Sequence, residues 1–305
     1  MAKLTVSVPG KTLLNLVSPA PEGVEYVLWD LDSPAPASHI DIVVPPYMGA
    51  TPKLKALDGI TTQLVQSQSI GYDGVSDVLS AGHRFANASS VHEASTAELT
   101  LALILALQRG IPDFVHAQAA GKWAPQRLKS LADSRVLIVG YGGVGKAIED
   151  RLIPFEVTID RLARTARDTE HGPVHAMTEL HNFIGTADIV ILAMPLTPQS
   201  EGLVDDAFLS SMAEGAMLVN IARGPVVNTD ALVEHLGRGR LRAALDVTDP
   251  EPLPEGHPLW SSPNLLISPH VGGASSAMMP RMAALLRRQI DHLLKGEEPE
   301  NVVIG

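Results

Sequence analysis

Residues 134–145, Ser-Arg-Val-Leu-Ile-Val-Gly-Tyr-Gly-Gly-Val-Gly, carry an apolar strand straight into a G-x-G-x-x-G turn, and no other stretch restricts the fold as much. Gly140 permits a tight turn out of the strand, Gly142 lets backbone approach a pyrophosphate, and Gly145 lets the next helix pack closely on a sheet. That helix is legible in Val144, Ala147, Ile148 and Leu152, which share one face before Pro154 closes it. The pyrophosphate would then meet a helix N-terminus. Glycine-rich turns occur in many loops, but flanked by strand and helix this one reads as a dinucleotide-binding fingerprint.

The rest of the chain must supply a sheet for that unit. At 305 residues there is room for two domains of ordinary size. With 45% hydrophobic and 19% charged residues the profile is globular, and no repeat or low-complexity tract is evident. The absence of cysteine excludes disulfides and thiolate metal sites, and no metal is expected. Pro9 breaks the N-terminal stretch before a signal-peptide core forms, and the longest apolar run, residues 99–107, is too short to span a bilayer. A soluble cytoplasmic protein is expected, with no membrane partner. A net charge of -11 without a basic stripe argues against a nucleic-acid partner.

Short apolar runs at 5–8, 24–29, 40–44, 63–68 and 84–88 suggest a small α/β unit. Pro45-Pro-Tyr-Met-Gly49 follows one of these strands, either as a pocket wall or as a plain turn. Ser90-Val-His-Glu93 has capping-box spacing and predicts a helix to Gln108, stopped by Gly110 and Pro112. That helix is apolar nearly all round, so it should be buried on most sides and mark the first domain crossing. Runs at 157–162, 189–194, 217–221, 243–247 and 265–268 show little alternation, which predicts a parallel sheet covered on both faces. A final helix over 277–294 has an apolar stripe of Met278, Met282, Leu285, Leu286 and Leu293 and should return the chain to the first domain.

Open α/β sheets bind ligands outside the carboxyl ends of their strands. Arg223, Glu251 and His270 each lie just past such an end. Alone, each has a bland explanation: a surface cation, part of an acidic proline-rich loop, one of 11 histidines. Their convergence on one sheet edge makes them catalytic candidates.

Together with Ser69-Ile-Gly-Tyr-Asp73 and Met194-Pro-Leu-Thr-Pro198, the motifs Asn220-Ile-Ala-Arg-Gly224, Asp246-Val-Thr-Asp-Pro-Glu-Pro252 and Ser268-Pro-His-Val-Gly-Gly273 resemble the D-isomer-specific 2-hydroxyacid dehydrogenase family, in its order and spacing over nearly the whole chain. The resemblance implies an α/β fold with a Rossmann doubly wound parallel sheet domain at 93–274. It also implies a smaller flavodoxin-like α/β substrate domain made from residues 1–92 and 275–305, usually in a homodimer. The implied reaction is hydride transfer between NAD(P)H and a small 2-oxo acid, as in glyoxylate/hydroxypyruvate reductases. Such a reaction needs a cation for the carboxylate and polarised carbonyl, which Arg223 can supply, and an acid for the new hydroxyl, which His270 can supply. Glu251 beside His270 would favour the imidazolium. By analogy with the family, the amides of Ile70 and Gly71 help hold the substrate carboxylate, while Tyr47, Met48 and Tyr72 are candidate pocket residues. Asp246 would orient the nicotinamide carboxamide. Pro195 and Ile221 would lie near the ring, Gly143 and Val144 would donate to the pyrophosphate, and Gly272 would border the coenzyme.

Coenzyme choice turns on the second strand, where a NAD-type site carries a carboxylate about 20 residues past the first glycine. Simple counting from Gly140 reaches Asp160, which favours NAD(H). The family's spacing instead places the strand tip at Ala163, followed by Arg164, Thr165 and Arg167, which favours NADP(H) because guanidinium groups can bind a 2′-phosphate. NADP(H) preference is the expectation. Two other readings stay open: a nucleotide-sensing scaffold or corepressor-like protein on the same fold, and formate or phosphite oxidation. Against the latter, formate enzymes of this kind carry glutamine where Glu251 stands.

Overall fold

The structure, a computed structural model, describes residues 3–305. By their contacts they form two compact units, residues 3–92 with 274–305, and Glu93–Gly273. Among the described residues no helix is long and apolar enough to cross a membrane.

The first unit opens with β1 (Leu4–Val8), α1 (Lys11–Val17), β2 (Val24–Leu28), β3 (Ile42–Val43), β4 (Leu64–Gln66) and β5 (Phe85–Ala86). The strands lie parallel in the order β2-β1-β3-β4-β5, and the C-terminal strand Val302–Ile304 joins β5 antiparallel. This is the flavodoxin-like order, which reverses between β1 and β3. Several strands are shorter than their apolar runs. Ile40, Val44 and Ala88 are buried just outside the strands, their amides donating to the carbonyls of Thr61, Ser7 and Ser69, because burial selects for apolar residues beyond the ends of the regular ladder. One sheet face packs Val6, Val8, Ile42 and Leu64 against Met282, Leu285, Leu286 and Ile290 of the C-terminal helix Met278–Lys295.

The second unit runs α2 (Glu93–Gln108), α3 (Ile111–Ala119), β6 (Arg135–Val139), α4 (Gly143–Leu152), β7 (Thr158–Ala163), β8 (Arg167–Thr169) and β9 (Gly172–Ala176). It continues with β10 (Ile189–Leu192), α5 (Asp206–Ser211), β11 (Met217–Asn220), α6 (Thr229–Gly237), β12 (Arg242–Leu245) and β13 (Leu265–Ile267). The sheet order is β13-β12-β11-β10-β6-β7-β9-β8, parallel throughout except for β8. Apolar layers cover both faces, so the strands read as continuous hydrophobic runs rather than alternating ones. This is a doubly wound Rossmann sheet whose order reverses between β6 and β10.

Local signals failed in three places. The predicted helix start lies three residues early: Ser90 has a left-handed φ of 80° and α2 begins only at Glu93. α2 does end at Gln108, with Gly110 left-handed at a φ of 62°, but Pro112 begins the next helix rather than a loop, occupying the first turn of α3 where its missing N–H is not needed. The β8–β9 hairpin has no apolar run to announce it, because Val174 is its one fully buried side chain.

Candidate active site

The reversal between β6 and β10 opens the crevice in which such sheets bind ligands. Gly140 leaves β6 with a φ of 100°, and a Cβ there would lie 2.5 Å from the backbone of Ala193 and Met194, just past β10. Only glycine fits where these strands part. A Cβ on Gly145 would lie 2.4 Å from the Gly140 carbonyl oxygen, so the seating of α4 also demands glycine. Gly142 has open space above its Cα and caps α4 without any side-chain hydrogen bond. The leading amides of α4, on Gly143 and Val144, are therefore suited to an anion, and a dinucleotide pyrophosphate fits this cradle.

The strand β7 ends at Ala163, and Arg164, Thr165 and Arg167 beyond it are exposed. Asp160 is not at that tip, which corrects the simple count. It sits within the strand opposite Leu137, and its carboxylate accepts from Arg135 Nε at 2.8 Å. Since Arg135 starts β6, that ion pair belongs to the strands' amino-terminal edge, away from the glycine turn. The physical reason is a one-turn helix at Ile153–Phe155 with a left-handed Glu156 after it, which lengthens the path from α4 to β7.

Arg223, Glu251 and His270 follow the neighbouring strands β11, β12 and β13. A Cβ on Gly224 would fall 1.8 Å from the Thr248 carbonyl oxygen, so the loop bearing Arg223 rests directly on the loop leading to Glu251. The Asn220 side chain fixes the turn: its Nδ2 donates to the Arg223 carbonyl and its Oδ1 accepts from the Ala222 amide, both at 3.0 Å. His270 adopts a φ of 54°, and its Nδ1 lies 2.5 Å from Glu251 Oε1. That pairing leaves Nε2 as the nitrogen able to exchange a proton with a substrate.

Asp246 has a task that its sequence position did not reveal. Buried at the end of β12, it accepts from Ser268 Oγ at 2.6 Å, the Val271 amide at 2.9 Å and the Gly272 amide at 2.8 Å. It therefore holds the loop that carries His270. A Cβ on Gly272 would lie 2.9 Å from Asp246 Oδ2, which accounts for that glycine by close packing. Ile221 is buried behind the edge, while Pro195 is exposed and its carbonyl accepts from Ser200 Oγ.

In the first unit, the loop with Tyr47 and Met48 follows β3, at that sheet's own reversal point. Tyr47 stacks on His92 with ring centroids 5.6 Å apart, and His92 Nε2 lies 2.6 Å from the Gln68 carbonyl. Met48 is 52% exposed. Asn87 Nδ2 donates to the Ile70 carbonyl at 3.0 Å, while the amides of Ile70 and Gly71 donate to no acceptor among the described residues. Sequence reasoning passed over His92, Gln68 and Asn87, because each braces a loop only through the fold.

It also missed a buried cluster behind the glycine turn. The Tyr141 hydroxyl donates to the fully buried Glu149 carboxylate on α4, which also accepts from Arg161 Nε at 2.8 Å. Burial, then the hydrogen bond and charge of Glu149, push the Tyr141 phenol up to about 12. For Glu149, burial pushes upward, but hydrogen bonds from Arg161 and Tyr141 and the Arg161 charge outweigh it and hold the carboxyl below its ordinary range. The available signal was a charged residue inside an otherwise apolar strand, which demands a partner.

Residues 101–272 match the family described as D-isomer specific 2-hydroxyacid dehydrogenase, NAD binding domain. Human glyoxylate reductase/hydroxypyruvate reductase is 33% identical, covering 96% of this chain and 94% of its own length. A D-isomer specific 2-hydroxyacid dehydrogenase from Xanthobacter autotrophicus, solved with NADPH and MES, has a TM-score of 0.81 at 26% identity, covering 99% of this chain and 98% of its own. An NADPH-dependent glyoxylate/hydroxypyruvate reductase from Sinorhizobium meliloti, solved with NADP and malonate, has a TM-score of 0.80 at 27% identity, covering 99% of this chain and 97% of its own.

Proposed function

The chain belongs to the D-isomer-specific 2-hydroxyacid dehydrogenase family and is an NAD(P)-dependent oxidoreductase, and from that premise we propose that it reduces a small 2-oxo acid such as glyoxylate or hydroxypyruvate, with NADPH preferred over NADH. The observation that carries this reading is the Glu251–His270 pair on the sheet edge that also bears Arg223.

With its pyrophosphate held at the glycine turn by the Gly143 and Val144 amides, a reduced nicotinamide dinucleotide would supply the hydride. Arg223 offers a planar fork that a carboxylate and the neighbouring carbonyl oxygen can share, stabilising the negative charge that grows on that oxygen. His270 delivers the proton through Nε2, and Glu251 at Nδ1 fixes the ring and balances its positive charge. The amides of Ile70 and Gly71 suit the substrate carboxylate, and Tyr47 and Met48 suit a small acid. The NADPH preference is supported by Arg164, Thr165 and Arg167 beyond the tip of β7 and by the engagement of Asp160 at the opposite edge. Pairing of two chains is supported by the apolar residues that α3 leaves exposed.

The test is loss of reduced-nicotinamide absorbance with NADPH and, separately, NADH, offering glyoxylate, hydroxypyruvate, pyruvate and phenylpyruvate. Turnover is expected with glyoxylate or hydroxypyruvate and faster with NADPH. A clear NADH advantage would sink the coenzyme assignment. Coenzyme binding without turnover of any acid would favour the nucleotide-sensing scaffold instead.

A further inference from the structure

Given the NADP(H) preference proposed above, we infer that Tyr141 is a specificity-positioning residue, holding Arg167 beside the glycine turn so that its guanidinium stands ready for a 2′-phosphate. Among the described residues, neither Arg164 nor the Thr165 hydroxyl has a hydrogen-bond partner. Arg167 differs from both. Its Nη2 donates to the Tyr141 carbonyl and its guanidinium carbon lies 5.8 Å from the Tyr141 ring centroid. Two contacts thus tie a surface arginine on the edge strand β8 to the second residue of the phosphate-binding turn.

The ring that Arg167 meets is itself fixed. Tyr141 is 3% exposed, and its hydroxyl is anchored on Glu149, which Arg161 grips with Nε and Nη2. The ring therefore presents a rigid, electron-rich surface to a cation. Position matters here because the surroundings do not favour an anion by themselves. Tyr141 and Arg167 line a polar cavity of about 390 Å³ that is also lined by Asp150, Asp168 and Glu170 and by Lys146 and His171. An arginine released from the ring would be drawn toward those carboxylates and neutralised. Held at the turn, it retains N–H donors for a phosphate without first losing side-chain freedom.

The experiment is fluorescence titration of NADPH and NADH against the wild type and against Tyr141→Phe, Tyr141→Leu and Arg167→Ala. Wild type is expected to bind NADPH more tightly, and Tyr141→Phe, which keeps the ring, to retain the ratio. Tyr141→Leu should lower the preference for NADPH roughly three- to tenfold while leaving the NADH Kd nearly unchanged, the scale of one cation–π contact. In the Arg167→Ala background the same change should alter the ratio no further, because Tyr141 acts through Arg167. Should the leucine variant not fold, Tyr141→Met is closer in volume and takes its place. Equal weakening of both coenzymes, or an unchanged ratio, would overturn the role of Tyr141 and leave the coenzyme assignment standing. A wild type that does not distinguish the coenzymes would remove that assignment, and this role with it.

Discussion

His270 reaches Glu251 because its backbone turns into the left-handed region at the end of β13, while Asp246 pins the residues on either side. Substituting His270→Gln is expected to lower kcat by about 10²- to 10⁴-fold, the usual worth of a positioned acid, with coenzyme Kd within about twofold of wild type. Steady-state turnover and fluorescence titration check the two halves separately, and full turnover would refute the assignment. Arg223→Ala should lower kcat and raise KM together, since the cation meets both the ground-state carboxylate and the charge of the transition state. If KM alone rose, carbonyl polarisation would have to come from another group. Reactive side chains such as Arg223 and His270 could be singled out along the chain because they are rare types at strand ends. The hydrogen bonds of Asp246 and the contact of Gly224 with Thr248 could not, since each joins loops that follow different strands.

Between elements, the Glu149–Arg161 pair joins α4 to β7, with Tyr141 extending it to the glycine turn. Breaking a buried pair by removing one charge leaves the other uncompensated, so Glu149→Gln should destabilise the protein by about 3 to 5 kcal/mol at neutral pH. The folded Glu149 titrates below its ordinary value of 4.5, so its stabilisation is complete above that value and is lost as pH falls through the depressed one. Thermal melts of wild type and Glu149→Gln should therefore differ most above pH 5 and converge in stronger acid. A difference that persists unchanged at low pH would show that packing, not charge, sets the cost. Elements with strong apolar periodicity, such as α4 and the C-terminal helix, were legible beforehand. The β8–β9 hairpin and the tip of β7 were harder, because polar edge strands carry little burial signal and a one-turn helix shifts any fixed count.

For the molecule as a whole, α3 has no buried residue, yet Ile111, Phe114 and Val115 lie on it and Trp123, 97% exposed, follows it. Apolar surface of this kind on a monomer fits a self-complementary contact with a second copy. Sedimentation is expected to give twice the chain mass, and Phe114→Glu with Val115→Glu to give a single chain whose melting is otherwise cooperative. Wild type sedimenting as one chain would remove the dimer. What could be read from the chain alone was its α/β class, its continuous buried strands and its strand-turn-helix fingerprint. Those follow from hydrophobic periodicity and glycine sterics, which act over a few neighbouring residues. The reversals of sheet order, the engagement of Asp160 with Arg135, the Tyr141–Glu149–Arg161 cluster and the loop held by Asp246 were decided only in three dimensions. Each depends on a partner from a separate element, and whether a charge there is a ligand or a brace is fixed by which strands the sheet makes neighbours.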